Sequence, residues 1–139
     1  MSSRDPEASV QGMATRLMEE ALTSRVIGAA IEVHRTLGPG LLESAYEECL
    51  CYELALAGVR FRRQLALPVR YKEVVLEVGY KVDLIVEGAV LLELKAVERL
   101  LPVHEAQLLT YLRLTGVHVG LLLNFNVDAM RRGIVRRVL

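Results

Sequence analysis

Three charged side chains stand where an apolar strand pattern should exclude charge. Asp83 lies in the run Tyr80-Lys81-Val82-Asp83-Leu84-Ile85-Val86, and Glu93 and Lys95 lie in Leu91-Leu92-Glu93-Leu94-Lys95. Strands of a covered sheet are apolar on both faces, so a charge within one needs a reason. Side chains alternate along a strand, which puts Glu93 and Lys95 on one face and Leu92 and Leu94 on the other. The turn Glu87-Gly88 joins the two runs closely enough to bring Asp83 beside the Glu-Lys pair. Two converging carboxylates suit a hard cation such as Mg2+, which takes oxygen ligands and keeps several waters. The adjacent ammonium can orient or help deprotonate an attacking water and offset charge on a reacting phosphate. A cross-strand salt bridge from Lys95 to either acid accounts for the same residues without chemistry, and the hairpin alone does not separate the two.

The next segment tips that balance. Gln107 and Tyr111 are spaced i, i+4, so they share a helix face and can hang over the end of the Glu-x-Lys strand. From there Gln107 can bond a phosphate or a coordinated water, and Tyr111 can donate its hydroxyl. Such a pair alone is more often a surface or packing feature. Glu43, after Gly40 and before Tyr46, is a further candidate, although a carboxylate in a first helical turn is also explained by the helix dipole. His34 reads as a dipole partner at a helix C-terminus rather than a ligand. Asn124 and Asn126 are expected to satisfy backbone groups in an exit turn. Cys49 and Cys51, at i, i+2 in a helix, point to different faces and read as small apolar residues.

The elements that must position these residues follow from periodicity. Apolar residues at helical spacing run from about Ala14 to Leu37, where Gly38-Pro39-Gly40 stops the helix. A second helix is expected from Leu41 to Ala57, closed by Gly58. Gln64 to Arg70 alternates and contains Pro68, which suits an edge strand. Val74 to Val78 and Tyr80 to Val86 alternate around Gly79, a bulge or bend. Val90 to Lys95 is the next strand. A third helix spans Pro102 to Gly116, Val117 to Phe125 is a buried strand, and a short strand or helix follows from Gly133. The short link makes Tyr80–Val86 and Val90–Lys95 antiparallel, and the helical crossover makes Val117–Phe125 parallel to Val90–Lys95. The fold class is α/β, a mixed central sheet flanked by helices.

The 139 residues suit one domain, 53% hydrophobic but only 5% aromatic, so the core is built mainly from Leu, Val, Ala and Ile. Residues 1–14 are expected as a flexible tail and residues 15–139 as a single domain. No run is long enough to span a bilayer, and the polar N-terminus lacks a secretory pattern, so a cytoplasmic protein is the default. Seventeen basic residues balance seventeen acidic ones. That balance does not mark a dedicated DNA-binding protein, and the clusters at Arg60, Arg62, Arg63 and at Arg131, Arg132, Arg136, Arg137 read as solvated surface.

The run Gly40-Leu41-Leu42-Glu43-Ser44-Ala45-Tyr46 resembles the signature of the GxxExxY proteins, small bacterial and archaeal proteins of the PD-(D/E)XK nuclease superfamily. The likeness extends from about Val26 to Val138, through Gly38-Pro39-Gly40, Val103-His104-Glu105-Ala106-Gln107-Leu108-Leu109-Thr110-Tyr111 and Leu123-Asn124-Phe125-Asn126. It implies a restriction-endonuclease-like core of helix, three strands, helix, strand, the order already read from periodicity. By this resemblance Asp83 matches the motif aspartate, and Glu93 and Lys95 match the E-x-K pair. Gln107 and Tyr111 resemble the Q-x-x-x-Y motif of RecB-type domains, and Glu43 matches the glutamate of the first core helix. Val82 stands where a proline often precedes the aspartate, which removes no ligand. The implied activity is metal-dependent hydrolysis of DNA or RNA phosphodiesters. In it Asp83, Glu93, Glu43 and the Leu94 carbonyl hold Mg2+ or Mn2+, Lys95 places the water, and Gln107 and Tyr111 steer the phosphate. The competing expectation is a non-catalytic nucleic-acid-binding or homo-oligomeric assembly module that keeps the fold.

Overall fold

The computed structural model describes residues 6–139, with side chains from Val10 onward. Helix α1 (Pro6–Leu37) buries Val26, Ala30 and Val33, which recur at helical spacing. It starts well before Ala14, so residues 6–14 of the expected tail are helical, and residues 1–5 lie outside the described residues. Left-handed backbone at Gly38 and Gly40 (φ 69° and 97°) turns the chain into α2 (Glu43–Leu56). This second helix closes in a Schellman turn. The Val59 amide donates to the Leu54 carbonyl at 2.9 Å and the Gly58 amide to that of Ala55 at 3.0 Å. Leu54 and Val59 are both buried and supply the apolar contact that accompanies such a turn.

The strands are β1 (Phe61–Ala66), β2 (Val69–Tyr71), β3 (Val74–Leu76), β4 (Lys81–Val86), β5 (Val90–Lys95), β6 (Val119–Asn124) and β7 (Ile134–Val138), with α3 (Pro102–Thr115) between β5 and β6. Five of them form one mixed sheet in the order β1-β4-β5-β6-β7. β4 and β5 are antiparallel and β5 and β6 parallel, as the two connections require. Glu87 and Gly88 both have positive φ (51° and 66°), and the Ala89 amide donates to the Val86 carbonyl at 2.9 Å, a type I′ hairpin turn.

One strand expectation needs correction and another narrowing. The stretch expected as one strand from Gln64 to Arg70 is split: β1 begins earlier, at Phe61, and ends at Ala66, while Pro68, with no amide to donate, lies in the link to β2. Of the bulge or bend expected at Gly79, the structure shows the bend and no bulge within a single ladder. Gly79 lies, with φ 82°, between β3, which pairs only with β2, and β4 in the main sheet. Alternation cannot distinguish these cases, since it says which face a residue takes but not which strand lies beside it.

Two cores result. On one face α1 and α2 cover Leu84, Val86, Leu92, Leu94, Leu121 and Leu123; on the other α3 covers Leu91 and Leu122 with Leu108 and Leu112. The order α2, β1, β4, β5, α3, β6 is the restriction-endonuclease-like core, an α/β sandwich. No helix among the described residues is long and apolar enough to cross a membrane.

Candidate active site

The pairing of β4 with β5 runs from Val86↔Val90 to Leu84↔Leu92 and then stops, although both strands continue. β5 meanwhile stays zipped to β6 as far as Lys95↔Asn124. Beyond Leu84 the strands part, and side chains take over from the ladder. The Asp83 amide donates to Glu93 Oε1 at 3.1 Å, and the Leu94 amide donates to Asp83 Oδ2 at 2.8 Å. Each acid thus caps the backbone of the other's strand, which satisfies main-chain donors left by the missing ladder. These reciprocal bonds bring the two carboxylates together in the notch between the strands.

Glu93 is only 5% exposed. Burial, with the neighbouring Asp83 charge adding to it, pushes its carboxyl up to about 8. The Asp83 amide and Lys95 oppose that rise, and Glu43 adds to it. Burial also raises the Asp83 carboxyl, against the Leu94 amide and the Gln64 side chain, which hold it down. Lys95 is half-buried, and among the described residues its ammonium forms no ion pair with either acid. The cross-strand salt bridge that would have explained these residues without chemistry is therefore not formed.

On α3, Gln107 Nε2 donates to the Tyr111 hydroxyl at 3.0 Å, as the i, i+4 spacing allows. Tyr111 is buried and stands close enough to Glu93 for that carboxylate to add to the rise that burial imposes on its hydroxyl. Because the oxygen accepts from Gln107, the phenolic proton is free to donate outward. Tyr80 meets the Tyr111 ring edge-on at 6.4 Å.

Glu43 opens α2 and is exposed. The loop before it is held by Tyr46, whose hydroxyl donates to the Gly38 carbonyl at 2.6 Å and accepts from the Leu41 amide at 3.1 Å. The Tyr46 ring stacks on Phe125 at 4.6 Å. The structure thus brings Asp83 and Glu93 together, sets Lys95 and Tyr111 near them, and leaves Glu43 outside the pair. Among the described residues no three acids, histidines or cysteines cluster tightly enough to hold an ion between them. The pair still fits a hard divalent cation by its chemistry. It offers oxygen donors, Glu93 Oε2 accepts nothing from the described residues, and a cation would relieve the repulsion that raises Glu93. Such an ion would keep several waters.

Residues 20–138 match the family model of the PD-(D/E)XK nuclease superfamily. The chain belongs to the PD-(D/E)XK nuclease superfamily. No curated protein and no solved structure matched.

The remaining candidates are structural. His34 donates Nε2–H to the Val127 carbonyl at 2.7 Å, docking the end of α1 on the loop after β6. Asn124 is buried, accepts from the amides of Val97 and Asn126, and donates to the Val97 carbonyl. Cys51 is buried, and desolvation raises its thiol to about 11, which keeps it protonated and inert. An open groove of about 550 Å³ lined by Arg60, Phe61, Arg62, Ile85, Glu87 and Gly88 lies at the hairpin-turn end of the sheet and contains none of the site residues.

Sequence reasoning missed Glu47 and Gln64. Glu47 is buried on α2, where Arg63 bonds its Oε2 at 2.7 Å and Gln64 its Oε1 at 2.7 Å. The i, i+4 spacing of Glu43 and Glu47 was the available signal. For Gln64 there was none, because nothing in its neighbours foretells a left-handed backbone.

Proposed function

We propose that the chain is a divalent-metal-dependent nuclease that hydrolyses phosphodiester bonds of DNA or RNA. The observation that carries this reading is the parting of β4 from β5, which brings two buried or half-buried acids together beside an unpaired lysine in a chain of this superfamily. Asp83, Glu93 and the main-chain carbonyl of Leu94 would hold Mg2+ or Mn2+, with Glu43 at the start of α2, whose charge Glu93 feels, as the further acid of the site. What such an ion supplies when bound is Lewis acidity toward the phosphate.

The protein's own groups do the rest. Lys95, with no competing anion in contact among the described residues, holds and orients the attacking water and balances charge as it grows on the phosphate. The Tyr111 hydroxyl donates to a phosphate oxygen, and Gln107 fixes the direction of that hydroxyl. Within the superfamily the run Gly40 to Tyr46 supports kinship with the GxxExxY proteins, and the polynucleotide is met in the cytoplasm. Calorimetric titration with Mn2+ tests the reading. The native chain is expected to bind, and Asp83→Ala to lose most of that affinity. A folded native chain that takes up no divalent ion would overturn it.

A second reading, homo-oligomeric assembly, is favoured by one observation. Val10, Met13, Leu17 and Met18 are exposed along the first half of α1, and Tyr71, Val74 and Val75 are exposed on the β2–β3 hairpin. Light scattering at rising concentration distinguishes it, a strict monomer counting against assembly.

A further inference from the structure

Gln64 is the point where two strands change their habit. It is a non-glycine residue with φ 48°, in the middle of β1 and opposite Asp83. The β1–β4 ladder pairs Arg63↔Leu84 and Leu65↔Val82 but skips the position between them. Both strands also switch core there. Phe61 and Leu84 pack under α1 and α2, whereas Leu65 and Val82 pack with α3. Simple alternation would have kept Phe61 with Leu65 and Leu84 with Val82. A left-handed conformation costs a side-chain-bearing residue on the order of 1 kcal/mol, so something must hold it.

Two hydrogen bonds from its side chain hold it. Gln64 Nε2 donates to Glu47 Oε1 at 2.7 Å and to Asp83 Oδ1 at 3.3 Å. Glu47 cannot swing away, because Arg63 binds its other oxygen and the residue is 9% exposed. Asp83 in turn has one oxygen on Gln64 and the other on the Leu94 amide. The site acid is thus suspended across β1, β4 and β5. The Gln64 amide has two donors on one nitrogen and so serves carboxylates on both sides; a glutamate there would repel both, and an apolar residue would leave their oxygens to water at this exposed position.

We propose that Gln64 is a positioning residue, which holds Asp83 against β5 through its left-handed backbone and its amide and ties the site to Glu47 on α2. The consequence for catalysis rests on reading Asp83 as a site acid; the positioning does not. Hydrogen exchange at the Leu94 amide, whose acceptor is Asp83, reads the positioning directly. In Gln64→Gly, which keeps the left-handed backbone without strain, and in Gln64→Ala, that amide is expected to exchange about tenfold faster or more. Amides of Leu121 and Leu122 in β6 are expected to stay protected in both.

No change at Leu94 in either variant overturns the proposal. So does acceleration in Gln64→Ala alone, which would assign the effect to backbone strain rather than to the amide. Titration of the same variants with Mn2+ is expected to show about tenfold weaker binding than the native chain. Faster Leu94 exchange in a protein whose native form binds no Mn2+ supports the positioning and removes only the metal reading.

Discussion

Glu93 favours the fold more with its proton than without it. In the folded chain its carboxyl is raised to about 8, against an ordinary value of 4.5. Between those values the folded state binds a proton that the unfolded state has released, so the stabilisation is complete below the lower value and is lost as pH rises through the higher. The metal-free chain is expected to lose on the order of a few kcal/mol from about pH 5 to about pH 9 by this route, with Glu93→Gln flattening the fall. Denaturant midpoints across that range measure it; parallel curves for the two proteins would mean that Glu93 is ionised in the fold. Mg2+ added near the upper end should raise the native midpoint and leave Glu93→Gln unmoved. Thr23 is a residue-scale test of a different kind, because its hydroxyl is buried with no partner among the described residues. Thr23→Val keeps the shape and is expected to add about 1 kcal/mol of stability in the same assay. A loss instead would mean that the hydroxyl has a partner, such as a water. At this scale the acids were legible because charge interrupts an apolar strand. Gln64 was not, since its meaning lies in a φ angle and in two partners far along the chain.

Among the elements, the decisive event is that β4 leaves β5 while β5 stays with β6. The hairpin turn and the helical crossover were readable, because Glu87-Gly88 and the length of the link leave few choices. The parting of the strands was not readable, for the sequence pattern runs through Asp83 and Glu93 as it would in a plain strand, while in the fold Val82 and Leu84 face opposite cores. The separate β2–β3 hairpin was hidden for the same reason. A Cβ at Gly133, before β7, would lie 2.0 Å from the Asn124 carbonyl oxygen, so β6 and β7 can meet only over a glycine. Gly133→Ala is expected to cost about 2–3 kcal/mol in denaturant unfolding, and an unchanged midpoint would show that the turn can yield. Tyr46→Phe keeps the ring on Phe125 but strands the Gly38 carbonyl and the Leu41 amide. Its expected cost is about 1–2 kcal/mol, with faster exchange at the Leu41 amide ahead of Glu43.

Over the whole molecule, two helical layers bury a sheet whose acids sit at one end of the β4–β5 hairpin and whose turn sits at the other. Four of the seven clustered arginines, conspicuous in the sequence, are met by acids once the chain folds: Arg60 by Glu87, Arg63 by Glu47 and Glu48, Arg132 by Asp128, and Arg137 by Glu105. With a net charge of zero besides, the metal-free chain is expected to hold labelled DNA weakly and with a shallow salt dependence in fluorescence anisotropy. A steep one would reveal a phosphate-binding surface that these ion pairs do not suggest. A shallow dependence leaves recognition to the site and its ion rather than to the molecule's field.

Cleavage of labelled single- and double-stranded DNA and RNA, with Mg2+ or Mn2+, by the native chain and by Lys95→Ala tests the central claim most directly. Ion-dependent cutting by the native chain, reduced about a hundredfold or more in Lys95→Ala, is the predicted result. Equal cutting by both proteins, or none by a folded native chain supplied with either ion, would contradict it.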